Sequence, residues 1–270
     1  MNKVFVSIGP ITIYWYSILI LLAIIIGYEV ALYYCKKKDI PQTIVADMLL
    51  GIILSAIIGA RAYYVIFKFS SYQDNLIDIF KIWEGGLAIY GGIIGGFIYL
   101  LFYCKKKNFS LIKLLDIISL SLLLGQAIGR WGNFFNSEAY GNIVTKEYLQ
   151  SLHIPSFIIK GMYIEGAYRN PTFLYESLWC LLGVIILTII RKRKKQIVGK
   201  QISFYLLWYG LGRFFIEELR SDSLYFNDYR ISQIVSIIII IIGLIGNLII
   251  VLKNRKKASP KTITTSDGRI

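Results

Sequence analysis

Leu111-Ile112-Lys113-Leu114-Leu115-Asp116-Ile117-Ile118-Ser119-Leu120-Ser121-Leu122-Leu123-Leu124-Gly125-Gln126-Ala127-Ile128 runs straight into Gly129-Arg130-Trp131-Gly132-Asn133-Phe134-Phe135-Asn136-Ser137-Glu138-Ala139-Tyr140-Gly141. The first part is long and apolar enough to enter a bilayer, which takes roughly 20 residues as a helix. The second part sets a guanidinium, two amides and a carboxylate at the end of that helix. Charges near the hydrocarbon cost a few kcal/mol or more unless partnered, so a functional site is expected at this position. The reading of the chain follows from asking which other residues converge there.

Composition agrees with a membrane setting. The 270 residues are 56% hydrophobic and only 17% charged, with a formal net charge of +14, against about 25% charged in soluble domains. The basic residues lie in short clusters between apolar runs, where they report orientation and contact with anionic lipid, so nucleic acid is not an expected partner. Cys35, Cys104 and Cys180 are too scattered for a disulfide framework or metal site and are expected to be structural. The start of the chain lacks a basic n-region and a small-residue cleavage site, so its first apolar run is expected to be retained as a span.

Apolar runs at 11–34, 44–67, 85–103, 111–128, 172–190, 202–215 and 231–252 predict an all-α integral membrane protein of about seven transmembrane helices. The sixth is interrupted by Arg213, Glu217 and Glu218. Basic clusters at 36–38, 105–107, 191–195 and 253–257 fall in alternate connections, which places them in the cytoplasm and the N-terminus outside. The connection 131–171 is long beside an ordinary one of about 4–6 residues and predicts an ordered outward-facing cap between spans four and five. Residues 1–253 then form a transmembrane catalytic domain that includes this cap, and 254–270 a basic, polar cytoplasmic tail expected to be disordered. No internal repeat suggests a transporter of inverted halves.

Several charged residues share the outer depth of this topology. Tyr209, Arg213, Glu217 and Arg220 recur at helical spacing and make one polar face. Arg61 and Tyr16 fall at the outer parts of spans two and one. Singly, such residues are read as interfacial anchors of helices or as structural ion pairs, for instance Arg213 with Glu217, whose i,i+4 spacing allows one. Together with Arg130 they suit an anionic phosphate on a lipid, because guanidinium offers paired donors and keeps its charge in a poorly solvated site. Span three opens on Gly85-Gly86-Leu87-Ala88-Ile89-Tyr90-Gly91-Gly92 and continues to Gly95-Gly96. These small residues are read as helix-packing positions, while Tyr90 offers a phenol as proton acceptor, phosphate donor or interfacial ring.

Gly129-Arg130-x-Gly132-Asn133-Phe134-x-Asn136-x-Glu138-x-x-Gly141 resembles the signature of the prolipoprotein diacylglyceryl transferases. Trp15-Tyr16, Gly59-x-Arg61, Gly85-Gly86-Leu87 through Gly91-Gly92, Asp116, Pro171-Thr172-x-Leu174-Tyr175-Glu176 and Tyr209-Gly210-x-x-Arg213-Phe214-x-x-Glu217 resemble the family's other motifs in order. The likeness runs from span one to span six. It implies a bacterial plasma-membrane enzyme, active toward the outer leaflet, that moves the diacylglyceryl group of phosphatidylglycerol to the lipobox cysteine of a prelipoprotein. A thioether forms and glycerol phosphate leaves.

By position, Arg130 resembles the arginine that binds phosphatidylglycerol and Arg213 the second essential arginine. Tyr90 and Glu217 are candidates to take the thiol proton, and Glu217 is also suited to position Arg213. Asn133, Asn136, Glu138, Gly141, Tyr16, Arg61 and Tyr209 complete the expected substrate-binding set. Many relatives carry histidine where this chain has Tyr90, and many where it has Asn170. His153 lies outside every motif and is read as a surface residue. The phospholipid carries its own leaving group and no metal or nucleotide motif is present, so no cofactor is expected. Two other classes fit the composition: an anion channel or transporter, for which a charged cluster on one side only is a poor match, and a non-catalytic membrane assembly protein whose cap is the binding surface.

Overall fold

The computed structural model describes residues 3–9, 11–192 and 197–258. The chain divides into two compact units, one formed by 24–122 and the other by the segments before and after it. Much of the expected tail, at 259–270, and part of the 191–195 basic cluster lie outside the described residues.

In the unit that carries both chain ends, the first element is a hairpin. β1 (Val4–Ile8) pairs antiparallel with β2 (Ile11–Tyr14). Alternating β-branched residues favour this pairing, so α1 (Trp15–Lys37) starts four residues later than the apolar run suggests. α4 (Leu111–Asn136) lasts eight residues past its expected end at 128. Nothing in 129–136 breaks a helix, and the turn comes where Ser137 and Ala139 adopt left-handed backbone angles, φ 54° and 57°, uncommon for residues with a Cβ. The cap therefore begins at Ser137, and the front half of the signature is helical.

The cap holds α5 (Lys146–Ser151), α6 (Ser156–Gly161), β3 (Tyr163–Ile164) and β4 (Ala167–Tyr168). Thr145 caps α5, its hydroxyl accepting from the Tyr148 N–H at 3.1 Å. An apolar cluster of Phe134, Ile158, Met162 and Phe173 fastens the cap to the helix ends. His153 lies exposed between α5 and α6, as read from sequence.

α7 (Thr172–Lys192) and α8 (Lys200–Glu218) lock by a reciprocal arrangement. Trp179 and Trp208 stack with ring centroids 4.3 Å apart, and each indole N–H donates to the other's backbone carbonyl at 2.9 Å. One turn along each helix, Gly183 and Gly212 leave room for the opposite ring: a Cβ at Gly183 would lie 2.5 Å from Trp208, and one at Gly212 2.1 Å from Trp179. A short hairpin of β5 (Tyr225–Phe226) and β6 (Tyr229–Arg230) leads into α9 (Ile231–Ala258).

In the other unit, α2 (Thr43–Phe67) packs on α3 (Ile89–Lys106). A Cβ on Gly59 would stand 2.4 Å from the Gly91 carbonyl, so these glycines allow close backbone approach, the packing role read from sequence. α3 starts four residues later than expected because Gly85 and Gly86 have φ of 91° and 71°, outside helical space. Ala31, Cys35, Met48, Leu100, Cys104 and Leu114 belong to the buried core here. All three cysteines are buried and unbridged.

Among the described residues, five helices are long and apolar enough to cross a membrane: α1, α2, α4, α7 and, as Ile231–Asn254, α9. The chain is thus a helical integral membrane protein. α3 and α8 also form helices where spans three and six are expected, but α3 is short and closes on Lys105 and Lys106, and α8 carries Lys200, Arg213, Glu217 and Glu218.

Candidate functional site

A cluster of buried carboxylates and partly buried arginines lies at the meeting of α4, α7 and α8. Glu176, on the first turns of α7, is 3% exposed. Its two carboxylate oxygens face different arginines. Oε1 lies 2.5 Å from Arg130 Nη2 of α4, and Oε2 accepts from Arg213 Nη1 of α8 at 3.0 Å. Arg213 Nη2 pairs with Glu217 one helical turn on and reaches the Ser232 hydroxyl at 3.4 Å. Glu217 is 1% exposed, and Arg220 approaches it at 3.9 Å.

Isolated, each buried charge would cost several kcal/mol of desolvation, which the alternation of sign offsets. A carboxylate bridging two guanidiniums also shows what else fits there. The two non-bridging oxygens of a phosphodiester present similar acceptors, and guanidinium takes carboxylate and phosphate with the same fork of donors. Tyr209, one turn before Arg213, lies in the field of Glu176, Arg130 and Arg213.

The remaining signature residues extend from Arg130. The helical extension of α4 puts Asn133 one turn after it, and the Asn133 carbonyl accepts from Arg130 Nη1 at 3.2 Å. The Asn133 amide donates to Glu138 Oε1 at 3.1 Å, and Asn136 donates to the same oxygen at 3.4 Å. Glu138 stands between the two left-handed residues that end α4. The Tyr16 ring packs on Gly132, where a Cβ would come within 2.6 Å of it.

Gly141 acts through its backbone. Its N–H donates to the Asn170 carbonyl at 2.8 Å, and it bridges Arg220 in antiparallel fashion. A Cβ there would meet Asn170 at 2.7 Å and the Leu219 carbonyl at 2.8 Å. Asn170 is buried, and its side-chain carbonyl accepts from the Tyr175 hydroxyl at 2.7 Å. Arg220 lies just beyond α8, whose C-cap is Leu219; it stays within 3.9 Å of Glu217 and forks onto Asp222 through bonds of 2.9 and 3.0 Å. In the cap, Tyr140 donates to Glu165 at 3.1 Å. Burial and that carboxylate push the phenol up from its ordinary range.

Arg61 and Tyr90 belong to the other unit. Arg61 is buried and donates to the carbonyls of Ile79, Gly85 and Gly86 at 2.7, 2.8 and 3.0 Å, and to those of Asp78 and Lys81 at 2.6 and 3.5 Å. Its donors are thus committed to the backbone of the loop before α3. Tyr90, half-buried, sits in the first turn of α3.

Glu176 was not among the site residues expected from sequence, although it stands in a quoted motif. A carboxylate inside the apolar run 172–190 carries the same signal that singles out Arg130.

The profile of the family described as prolipoprotein diacylglyceryl transferase matches residues 3–249. A phosphatidylglycerol–prolipoprotein diacylglyceryl transferase of Listeria monocytogenes serotype 4b (strain CLIP80459) is 45% identical, the match covering 96% of this chain and 92% of that protein. The protein of that name from Staphylococcus haemolyticus (strain JCSC1435) is 45% identical over 98% of this chain and 95% of its own. The one from Halalkalibacterium halodurans is 48% identical over 89% and 83%. With whole-length matches of this kind, and the signature arginine set opposite a second one across a buried glutamate, the chain belongs to the prolipoprotein diacylglyceryl transferase family.

Proposed function

We propose that the chain is a membrane transferase that moves the diacylglyceryl group of phosphatidylglycerol to the lipobox cysteine thiol of a prelipoprotein. The observation that carries this is Glu176 bridging Arg130 and Arg213. An incoming phosphodiester takes over donors that the carboxylate now holds, and the two arginines then grip it from different helices.

In the reaction the thiol sulfur forms a bond to the lipid glycerol carbon. The bond from that carbon to the phosphate oxygen breaks, and glycerol phosphate leaves with the electron pair. Arg130 and Arg213 hold the phosphate in line and stabilise the charge that grows on it. A free thiol has a pKa of about 8.5, so its proton must be taken up. Tyr90 and Glu217 are the candidates. Glu217, gripped by Arg213 and approached by Arg220, has the surroundings of a positioning group, which leaves Tyr90 as the acceptor to test first.

Asn133, Asn136, Glu138, Gly141, Tyr16 and Tyr209 shape the lipid site in this reading. Arg61 contributes by holding the loop before α3. The wider arrangement is one of seven spans, with α3 and α8 crossing alongside the five long apolar helices. The N-terminus and cap face outside and the basic connections the cytoplasm, so the arginines meet the outer leaflet. Residues 1–253 form the catalytic domain and 254–270 a cytoplasmic tail.

The test is purified protein in phosphatidylglycerol vesicles with a lipobox peptide. A peptide gaining the mass of a diacylglyceryl group is the expected product. Folded protein that yields none contradicts the reading, and Tyr90→Phe at unchanged rate removes the phenol from the proton step.

A further inference from the structure

The loop that follows α8 returns to the turn that ends α4, within one unit of the chain, and the two segments pair like short strands. Gly141 bridges Arg220 in antiparallel fashion, the Asn142 N–H donates to the Leu219 carbonyl at 3.0 Å, and the Ser221 N–H donates to the Tyr140 carbonyl at 3.3 Å. At the end of this pairing stands Asp222, a carboxylate outside every motif read from the sequence. It accepts from both segments. Arg220 forks onto it through Nε at 2.9 Å and Nη2 at 3.0 Å, and the Ala139 N–H donates to its Oδ2 at 3.1 Å.

Ala139 has a left-handed backbone, φ 57°, an angle that a residue with a Cβ keeps only when its neighbours hold it there. Asp222 holds its N–H, and Thr172 of α7 donates to its carbonyl at 2.5 Å. Arg220, on the other side, stands between two carboxylates. Its Nη1 lies 3.9 Å from Glu217 Oε2, the oxygen that Arg213 Nη2 also pairs with. At that distance the contact is coulombic and beyond hydrogen-bond reach, whereas the fork onto Asp222 consists of charge-assisted bonds. Without the Asp222 charge, Glu217 is the carboxylate left in contact with Arg220 among the described residues. Two guanidiniums then compete for one oxygen.

We propose that Asp222 is a positioning residue for transfer: it holds Arg220 off Glu217, so that Glu217 orients Arg213, and it ties the loop after α8 to the turn at the end of α4. It acts on the Arg130–Glu176–Arg213 centre through Arg220, Glu217 and Ala139. The proposal rests on the proposed function in taking Arg213 to grip the substrate phosphate.

The test pairs a binding measurement with the transfer assay. Asp222→Asn keeps an acceptor for the Ala139 N–H and removes the charge. Inorganic phosphate, titrated into the full chain in detergent and read as a rise in unfolding midpoint, should bind this variant about threefold more tightly, the range of one partly exposed charge. In phosphatidylglycerol vesicles with the lipobox peptide, its kcat should fall about tenfold or more, since a 1 Å misplacement can cost about a hundredfold, while KM for the lipid does not rise. Opposite effects on binding and turnover mark a group that aims Arg213. A merely structural role would lower turnover with the folded fraction and leave phosphate no tighter. Asp222→Glu keeps the charge and should recover most of the turnover, and Asp228→Asn at the exposed turn between β5 and β6 should leave both readouts at wild type. Asp222→Ala removes the tie as well, so hydrogen exchange in 137–142 should quicken about tenfold over Asp222→Asn, the range of one hydrogen bond.

Wild-type turnover in Asp222→Asn, or phosphate affinity no higher than the wild type's, overturns the role of the charge. Unchanged exchange in Asp222→Ala overturns the tie. If the folded wild type transfers nothing, the proposed reaction fails, and phosphate affinity with hydrogen exchange still decides whether Asp222 sets the arginines.

Discussion

Glu176 holds two arginines that would otherwise repel one another, and its replacement separates two effects. Glu176→Ala leaves two partly buried guanidiniums without their shared counter-ion, and breaking such a pair costs at most the ~3–5 kcal/mol of a fully buried one. The unfolding midpoint of the purified protein should fall sharply. Glu176→Gln keeps an acceptor but removes the charge, so added phosphate should raise the midpoint of this variant more than that of the wild type. Equal shifts would mean that phosphate does not reach the arginines. Arg130→Lys keeps charge but loses the fork, and transfer should fall by tenfold or more with insertion unchanged. Much of this centre was legible in the sequence, because Arg130, Arg213 and Glu217 are charges in apolar runs at helical spacing. Glu176 went unassigned because the reading followed arginines as phosphate ligands and did not ask what neutralises them without substrate. Arg61 was legible as a special residue, while its five carbonyl partners depend on a loop path that spacing does not reveal.

At the scale of elements, the tryptophan lock places the site. Glu176 is three residues before Trp179 and Arg213 follows Gly212, so sliding α7 against α8 would part the carboxylate from its arginine. Gly183→Ala puts a methyl 2.5 Å from Trp208 Nε1, and such overpacking costs about 1–3 kcal/mol. Trp208→Phe removes one hydrogen bond, worth about 1 kcal/mol. Thermal unfolding should rank Gly183→Ala below Trp208→Phe, and the reverse order would argue against the close approach. In the other unit, Arg61→Ala frees the loop at 68–88, and limited proteolysis should cut there first. The helices were legible from apolar runs, but their ends were set by backbone conformation. Left-handed residues stop α4 at Asn136 and delay α3 to Ile89, and β-branched alternation turns 11–14 into a strand.

For the molecule as a whole, the low share of charged residues already required a membrane, and five helices long and apolar enough to cross one agree. The proposed seven-span arrangement depends on α3 and α8, whose charges sit inside or at the ends of short helices, where hydropathy alone is a weak guide. Single cysteines at Tyr148 in the cap and at Lys37 test it. An impermeant thiol reagent added outside intact cells should label the first and spare the second, and equal labelling would contradict the orientation. The central claim is that the Arg130–Glu176–Arg213 centre holds the phosphate of a phospholipid while a thiol displaces it. Its most direct measurement is the mass of a lipobox peptide incubated with protein in phosphatidylglycerol vesicles. The account predicts a diacylglyceryl adduct with the wild type and none with folded, inserted Arg130→Ala; an adduct formed equally by both would contradict it.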